Sequence, residues 1–386
     1  MKNKKGSGRR LICVAMIAAM LLSMPIFGGF AASFTAESDA KSLILIEAET
    51  GRVLYEKDAD IPLPPASVTK VMTMLLTMEA IDSGRISFED TVSVSEYAAE
   101  MGGSQVYLEP GEQMSVHELL KCVVVSSAND AAVALAEYIA GSEESFVADM
   151  NRRAAELGMT HTVFENTNGL DDTAHNHVTS ARDIAIMSAE LITKHPKILE
   201  YSSIWMDSIR GGEFGLTNTN RLIRFYNGAN GLKTGSTSKA GFCISASAKR
   251  DGMQLICVVM AASTRDSRNE IAKKLFDFGF ANYAYECFPA QTLDEIRVVG
   301  GVKDSVALSY ESFDFVTDKS NKGKTEIVFQ LPETLSAPVA MGQTVGKVRY
   351  LMGDEVIGEF DITASEEIRR VGFWDQFLRL LGEFLY

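Results

Sequence analysis

Strand-like runs stand at both ends of residues 41–262 and helix-like runs fill the space between them, a bracketing that constrains the fold more than any other feature. At the first end, SLILIEA and RVLYEK flank a turn at Glu49-Thr50-Gly51, which reads as a hairpin. At the other, residues 240–248 and 253–262 form two apolar runs joined by the polar turn 249–252. In the middle, segments such as NDAAVALAEYIA and SFVADMNRRAAELG alternate with polar turns, the second stopped by Gly158. Strands contributed from both ends of a helical middle predict an α/β domain built on one mainly antiparallel sheet. A helix-like segment, SRNEIAKKLFDFGFANYAY, comes next. From about Leu293 the texture becomes β-patterned, in EIRVVGG, SVALSY, TEIVFQL, QTVGKVRYLM and EVIGEFDI. These runs predict a second, smaller β-rich domain.

The first 33 residues stand apart from the fold. Lys2, Lys4, Lys5, Arg9 and Arg10 precede an apolar run over 11–27, which Pro25, Gly28 and Gly29 break, and Ala31, Ala32 and Ser33 offer a cleavage site. That order is the grammar of a secretory signal peptide. An uncleaved anchor is the competing reading, because the run approaches spanning length. Loss of these residues, five of them basic and none acidic, takes the formal charge from −14 to −19. A chain so acidic lacks the basic footprint that nucleic-acid binding needs. Four cysteines remain, Cys122, Cys243, Cys257 and Cys287. The first three sit in apolar runs, where a free buried thiol behaves as a small hydrophobe, and no cysteine spacing resembles a zinc site.

Three short motifs carry the chemistry: Ser67-Val68-Thr69-Lys70, Ser127-Ala128-Asn129 and Lys233-Thr234-Gly235. The first two are weak alone, since S-x-x-K recurs at Ser38 and Ser236 and S-x-N at Ser267. Only Ser67 follows a proline-rich stretch, Pro62-Leu63-Pro64-Pro65, and opens an apolar run, SVTKVMTMLLTMEAI. That run predicts a core helix whose first turn carries Ser67 and Lys70, with its methionines as packing. Lys233-Thr234-Gly235 occurs once, directly before a strand. Residues three apart share a helix face, so Lys70 Nζ can reach Ser67 Oγ. A serine hydroxyl is a poor nucleophile until a base takes its proton. Lysine is that base only when neutral, which at a pKa near 10.4 describes about one lysine in two thousand at pH 7. Burial and a second cation both lower that pKa, and Lys233 is the natural second cation. The bland readings are that Ser67 is an N-cap and that Asn129 caps the helix after it. His175-Asn176-His177 has the look of a metal pair but reads better as a solvated loop, since no carboxylate–histidine motif accompanies it.

The ordered trio is a signature of penicillin-binding proteins and class A β-lactamases. Together with the blocks PPASVTKVMT, SSANDAAVALAE, FENTNGLDD, TSARDIAIMS and ANGLKTGSTSKAGFC, it makes the chain resemble the low-molecular-mass penicillin-binding D-alanyl-D-alanine carboxypeptidases. The likeness is close over roughly residues 40–285 and looser beyond. It implies a penicillin-binding/β-lactamase-like α/β (α+β) domain with an antiparallel sheet and a helical region, a smaller C-terminal β-rich domain and a terminal amphipathic helix. It further implies a serine hydrolase that removes the terminal D-Ala from peptidoglycan stem peptides through an acyl-enzyme on Ser67, uses no cofactor or metal and is inhibited by β-lactams. By the same resemblance Ser127 relays a proton toward the leaving amine, and Asn129 hydrogen-bonds the substrate backbone. Lys233 and Thr234 attract the terminal carboxylate, Gly235 lets the strand approach the ligand, and the N–H groups of Ser67 and Ser236 form the oxyanion hole. Some relatives hold that carboxylate with an arginine shortly before the KTG strand; Arg221 and Arg224 lie nearby, and neither can be assigned to the role.

A class A-like β-lactamase is the nearest rival and needs a loop glutamate to activate water. Glu165 lies at a tempting place, yet FENTNGL fits the carboxypeptidase block. A non-catalytic β-lactam or peptidoglycan sensor on the same fold is the rival of another class, and every side chain needed for catalysis is present. The expected organisation is a signal peptide over 1–33, a transpeptidase-like catalytic domain over 34–287, the β-rich domain over 288–362 and a helix over 363–386. Thr363 and Glu366 have capping-box spacing. Ile368, Val371, Trp374, Leu378, Leu381 and Leu385 then recur as an apolar stripe, with Arg369, Arg370, Asp375, Gln376, Arg379 and Glu383 largely opposite. These charges oppose a membrane span. An interfacial helix is expected instead, holding an exported protein on the outer face of the cytoplasmic membrane.

Overall fold

The computed structural model describes residues 38–171 and 174–384; the expected signal peptide lies outside the described residues. The bracketing strands meet. Val53–Lys57, Ser42–Glu47, Met253–Ala262, Gly241–Arg250 and Ala229–Thr237 form, in that order, one five-stranded sheet that is antiparallel throughout. Side-chain alternation gives the sheet two apolar faces. Ile44, Ile46, Ile256, Val258 and Met260 join the core shared with the helical region. Leu45 and Leu255 turn the other way, against the Arg265–Asn282 helix, where a side chain on Gly279 would meet both.

The Lys70–Asp82 helix is apolar on nearly every side and is a core helix, as its composition requires. Met72, Met74, Leu75 and Met78 are fully buried, with the helices Asn129–Ala140, Glu143–Glu156 and Ala181–Lys194 packed around it. Cys122, Cys243 and Cys257 are free and buried, and Cys287 is free and exposed.

Four expectations about elements need correction. Ser67 lies in a short 3-10 turn, Ala66–Thr69, with the α-helix beginning only at Lys70. The KTG residues lie inside the strand Ala229–Thr237 and not before one. The helix expected through ANYAY stops at Asn282, and Tyr283–Phe288 becomes a strand paired with Phe313–Asp318; its aromatic residues favour a pleated surface. The terminal helix begins late. The strand Glu355–Ala364 pairs Thr363 with Thr344 and Ser309, so the backbone groups a cap would use belong to a sheet. Ile368, expected on the helical stripe, is fully buried in the β-rich core and bridges to Val339. The helix spans Phe373–Phe384 and is started by Asp375, which accepts Gly372 N–H at 2.8 Å and pairs with Arg369 at 2.6 Å.

The β-rich domain holds a four-stranded sheet in the order Leu308–Ser309, Glu355–Ala364, Thr344–Met352, Thr325–Gln330, with smaller sheets beside it. Val306, Val339, Val348, Tyr350 and Ile362 form its core. The Arg52 guanidinium links it to the catalytic domain, lying 5.6 Å over the Tyr283 ring and donating to the Val316 carbonyl.

Gly279 fixes how closely the Arg265–Asn282 helix approaches the sheet, because an added Cβ would stand 2.6 Å from Leu255 Cδ1 and 3.1 Å from Leu45 Cδ2. Gly279→Leu is expected to lower stability by about 1–3 kcal/mol through overpacking, read from urea denaturation. An unchanged midpoint would show that the interface is loose.

Candidate active site

Ser67 is held in a turn that the sequence around it has to force. Pro65 leads in, and Ala66 then adopts φ +48°, a region that residues with a Cβ enter at a cost. Two distant glycines close on this turn. A Cβ on Gly169 would lie 1.9 Å from the Ala66 carbonyl oxygen, and one on Gly235 would lie 2.7 Å from Pro65 O and 2.8 Å from Ser67 N. Gly235 is therefore needed first for its approach to the serine turn; the expected approach to a ligand comes second. That approach sets Ser67 N–H beside the strand at Gly235 and Ser236, and all three residues line one cleft of about 180 Å³.

Lys70 is completely buried. Its Nζ lies 3.1 Å from Ser67 Oγ, 2.5 Å from Asn129 Oδ1 and 2.9 Å from the Asn168 carbonyl. The Asn129 amide cannot be turned the other way, because its Nδ2 donates to Gly102 O at 2.7 Å. Asn129 is thus no helix cap: both ends of its side chain are engaged elsewhere. A neutral amine has two N–H bonds and one lone pair. In that neutral form Asn129 and Asn168 take the two N–H bonds and the lone pair faces the Ser67 hydroxyl, whereas the ammonium form donates to Ser67 Oγ as well. Burial, followed by the charge of Lys233, holds the Lys70 pKa well below its usual value, against an opposing pull from Asp130.

Ser127 ends the π-helical turn Cys122–Ser126 in a left-handed conformation, φ +63°, which presents it to the cleft. The next two residues pin the opposite wall. Asn129 N–H donates to Ser104 O at 2.7 Å, and the Asp130 carboxylate accepts from the N–H groups of Val106 and Leu108 at 3.1 Å each.

Lys233 is buried beneath the cleft, donating to the Thr234 carbonyl at 3.0 Å. Burial and the charge of Arg268 push its pKa down to about 7. Thr234 lines the cleft, and its hydroxyl bonds Thr219 Oγ1 at 2.8 Å. Two arginines absent from the sequence reading also line it, Arg265 and Arg268, from the first turn of the Arg265–Asn282 helix. Arg268 is 2% exposed and is pushed down to about 10 by burial and then by Arg265. Their spacing of three is the clue, since it sets both on one helix face. Arg221 and Arg224 do not line the cleft; Arg224 instead lies 5.7 Å over the Trp205 ring. Among the described residues that line the cleft there are two arginines and no carboxylate, a lining that favours anions.

His177 corrects the solvated-loop reading. It is buried, with Nε2 2.7 Å from Thr69 Oγ1, whereas His175 and Asn176 are exposed. Glu165 does not line the cleft; its carboxylate accepts the N–H groups of His175 and Asn176 at 2.6 and 3.1 Å and closes the neck of its loop.

The model of the D-alanyl-D-alanine carboxypeptidase family matches residues 30–264. The chain belongs to this family. A second family model, that of the penicillin-binding protein 5 C-terminal domain, matches residues 289–370, which takes the β-rich domain past 362 and agrees with the late start of the terminal helix. D-alanyl-D-alanine carboxypeptidase DacF of Bacillus subtilis (strain 168) is 42% identical, over 97% of this chain and 98% of the relative. The crystal structure of penicillin-binding protein 5 from Haemophilus influenzae is 32% identical with a TM-score of 0.74, covering 87% of this chain and 99% of that one. Penicillin-binding protein D2 of Listeria monocytogenes in its ampicillin-bound form is 32% identical with a TM-score of 0.59, over 64% of this chain and 99% of that one. The enzyme is a low-molecular-mass penicillin-binding protein and a serine-type D-alanyl-D-alanine carboxypeptidase.

If Lys70 is the group that takes the Ser67 proton it must be neutral, and acylation by a β-lactam is then expected to rise with pH and level off well below the ordinary lysine range. Lys233→Met removes a neighbouring positive charge, raises the Lys70 pKa and should move the rising limb to higher pH. Labelled-penicillin acylation rates across pH measure this; an unmoved limb would mean that burial alone sets the Lys70 pKa.

Proposed function

We propose that the chain is exported and removes the terminal D-alanine of peptidoglycan pentapeptides through an acyl-enzyme on Ser67. The observation that carries the residue roles is the arrangement at Lys70, a buried amine of depressed pKa whose Nζ lies 3.1 Å from Ser67 Oγ and is held by Asn129 and Asn168. Ser67 Oγ attacks the carbonyl carbon between the last two D-alanines, and its proton passes to Lys70. The N–H groups of Ser67 and Ser236 stabilise the oxyanion. On collapse the C–N bond breaks, and the leaving amine gains a proton by way of Ser127. Water then cleaves the ester and restores the serine. Lys233, Thr234 and Arg268 hold the terminal carboxylate, whose charge in turn keeps Lys233 protonated. Asn129 has one amide N–H left after bonding Gly102 and can give it to the substrate backbone. β-Lactams acylate the same hydroxyl.

The engagement of Glu165 with its own loop argues against a β-lactamase mechanism that uses this residue for deacylation. Incubation with a pentapeptide ending in D-Ala-D-Ala should release one D-alanine per peptide by mass analysis, with a chromogenic cephalosporin trapped stoichiometrically. Rapid cephalosporin turnover would overturn the reading. Ser67→Ala should abolish both D-alanine release and penicillin labelling, and Lys70→Ala should slow acylation by about 10²–10⁴-fold.

The terminal helix supports attachment to the outer face of the cytoplasmic membrane. Phe373, Trp374, Phe377, Leu378 and Leu381 are all exposed, an apolar surface that suits the interfacial layer, and no helix among the described residues is long and apolar enough to cross a membrane. Truncation after Gly372 keeps Ile368 and the β-rich core and should release a soluble, active enzyme; retention in the membrane fraction after signal removal would refute the anchor. Truncation after Thr363 would instead remove the buried Ala364 and Ile368 and unfold the domain.

A further inference from the structure

A buried chain of polar groups ends on the carbonyl of Ala66, and its proton positions can be worked out link by link. The backbone N–H of Glu165 meets His177 Nδ1 at 3.0 Å. A backbone amide only donates, so Nδ1 is an unprotonated acceptor. The ring proton therefore sits on Nε2, which faces Thr69 Oγ1 at 2.7 Å. Thr69 accepts it and gives its own proton to Ala66 O at 2.8 Å. The direction is thus fixed from Glu165 through His177 and Thr69 to Ala66. Burial keeps the ring neutral against the carboxylates of Glu165 and Asp171, which favour its charged form.

The end of that chain matters because of the peptide unit it reaches. Ala66 C=O and Ser67 N–H belong to one planar, trans unit and point in opposite directions. Holding the carbonyl on Thr69 aims Ser67 N–H away from it, toward Gly235 and the cleft. The unit needs holding, since Ala66 sits at φ +48°, and Gly169 closes on the same carbonyl. A hydrogen bond on the carbonyl also polarises the N–H at the other end of the amide.

We propose that His177, acting through the Thr69 hydroxyl, is a positioning residue for the oxyanion hole, fixing the Ala66–Ser67 peptide so that Ser67 N–H meets the developing oxyanion. This rests on Ser67 being the acylated residue, and Ser67→Ala, which must lose all penicillin labelling, tests that reading separately.

The decisive comparison uses two probes on the full chain. A D-alanine-type peptide boronic acid forms a tetrahedral adduct whose oxygen occupies the oxyanion position, whereas the D-Ala-terminated product peptide binds the same cleft without one. Thr69→Val and His177→Phe should slow penicillin acylation and weaken the boronate by about 10- to 100-fold. Product binding should change less than about twofold, and the double variant should be no worse than the worse single one. His177→Gln, whose amide N–H can reach the same hydroxyl, should recover most of the loss seen in His177→Phe. Should Thr69→Val fail to fold, the two His177 variants carry the same contrast with Thr69 in place. Equal loss on boronate and product, no loss on either, or failure of His177→Gln to outperform His177→Phe would each overturn the proposal.

Discussion

The amine of Lys70 lies out of water with only oxygen dipoles and a serine hydroxyl to bond, and the surrounding structure is arranged around that fact. A charged ammonium there lacks a carboxylate among its hydrogen-bond partners and sits near the cation of Lys233. Burial and the neighbouring Lys233 charge favour the neutral amine there. Each acceptor is itself fixed. Asn129 is oriented by Gly102, and the Asn168 carbonyl belongs to a loop tied down by Thr73 on Thr167 O and by Glu143 on Thr167 N–H.

The cations and the base have opposite requirements, and the fold separates them in depth. In the proposed mechanism Lys70 must be poor in protons, while the carboxylate site must be rich in charge. Lys233 is buried and already depressed to about 7, and in that mechanism the substrate carboxylate restores its charge. Arg268, although burial pushes it down to about 10, stays cationic at neutral pH. In the proposed mechanism an incoming carboxylate meets arginine first, with Lys233 beneath the cleft linking that site to Lys70.

Much of the site was legible because its motifs place chemistry and backbone together. Ser67, Lys70, Ser127, Thr234, Gly235 and Ser236 lie where the three motifs converge, and the strand pairs at both ends of the catalytic domain followed from alternation. What escaped did so for identifiable reasons. Arg265 and Arg268 come 32 and 35 residues after Lys233 and reach the cleft only through the docking of their helix on the sheet. His177, at the end of the polar run His175-Asn176-His177, looks exposed; its burial comes from a loop folding back onto Thr69. The apolar spacing that joined Ile368 to the terminal stripe is blind to Val339, which claims it for the β-rich core. Capping-box spacing at Thr363 likewise says nothing of a sheet that already occupies its backbone.

The pairing of Ser42–Glu47 with Met253–Ala262 has a consequence for biosynthesis. In register, Ser42 lies opposite Met260, so the first strand can find only its hairpin partner until more than two hundred further residues have been made. The central sheet cannot close on a partial chain, and the Ser67 turn, clamped by Gly169 and Gly235, cannot close either. Contacts of such long range form slowly. The frame that holds the Ser67 turn is therefore complete only after the Gly241–Arg250 and Met253–Ala262 strands have joined the sheet.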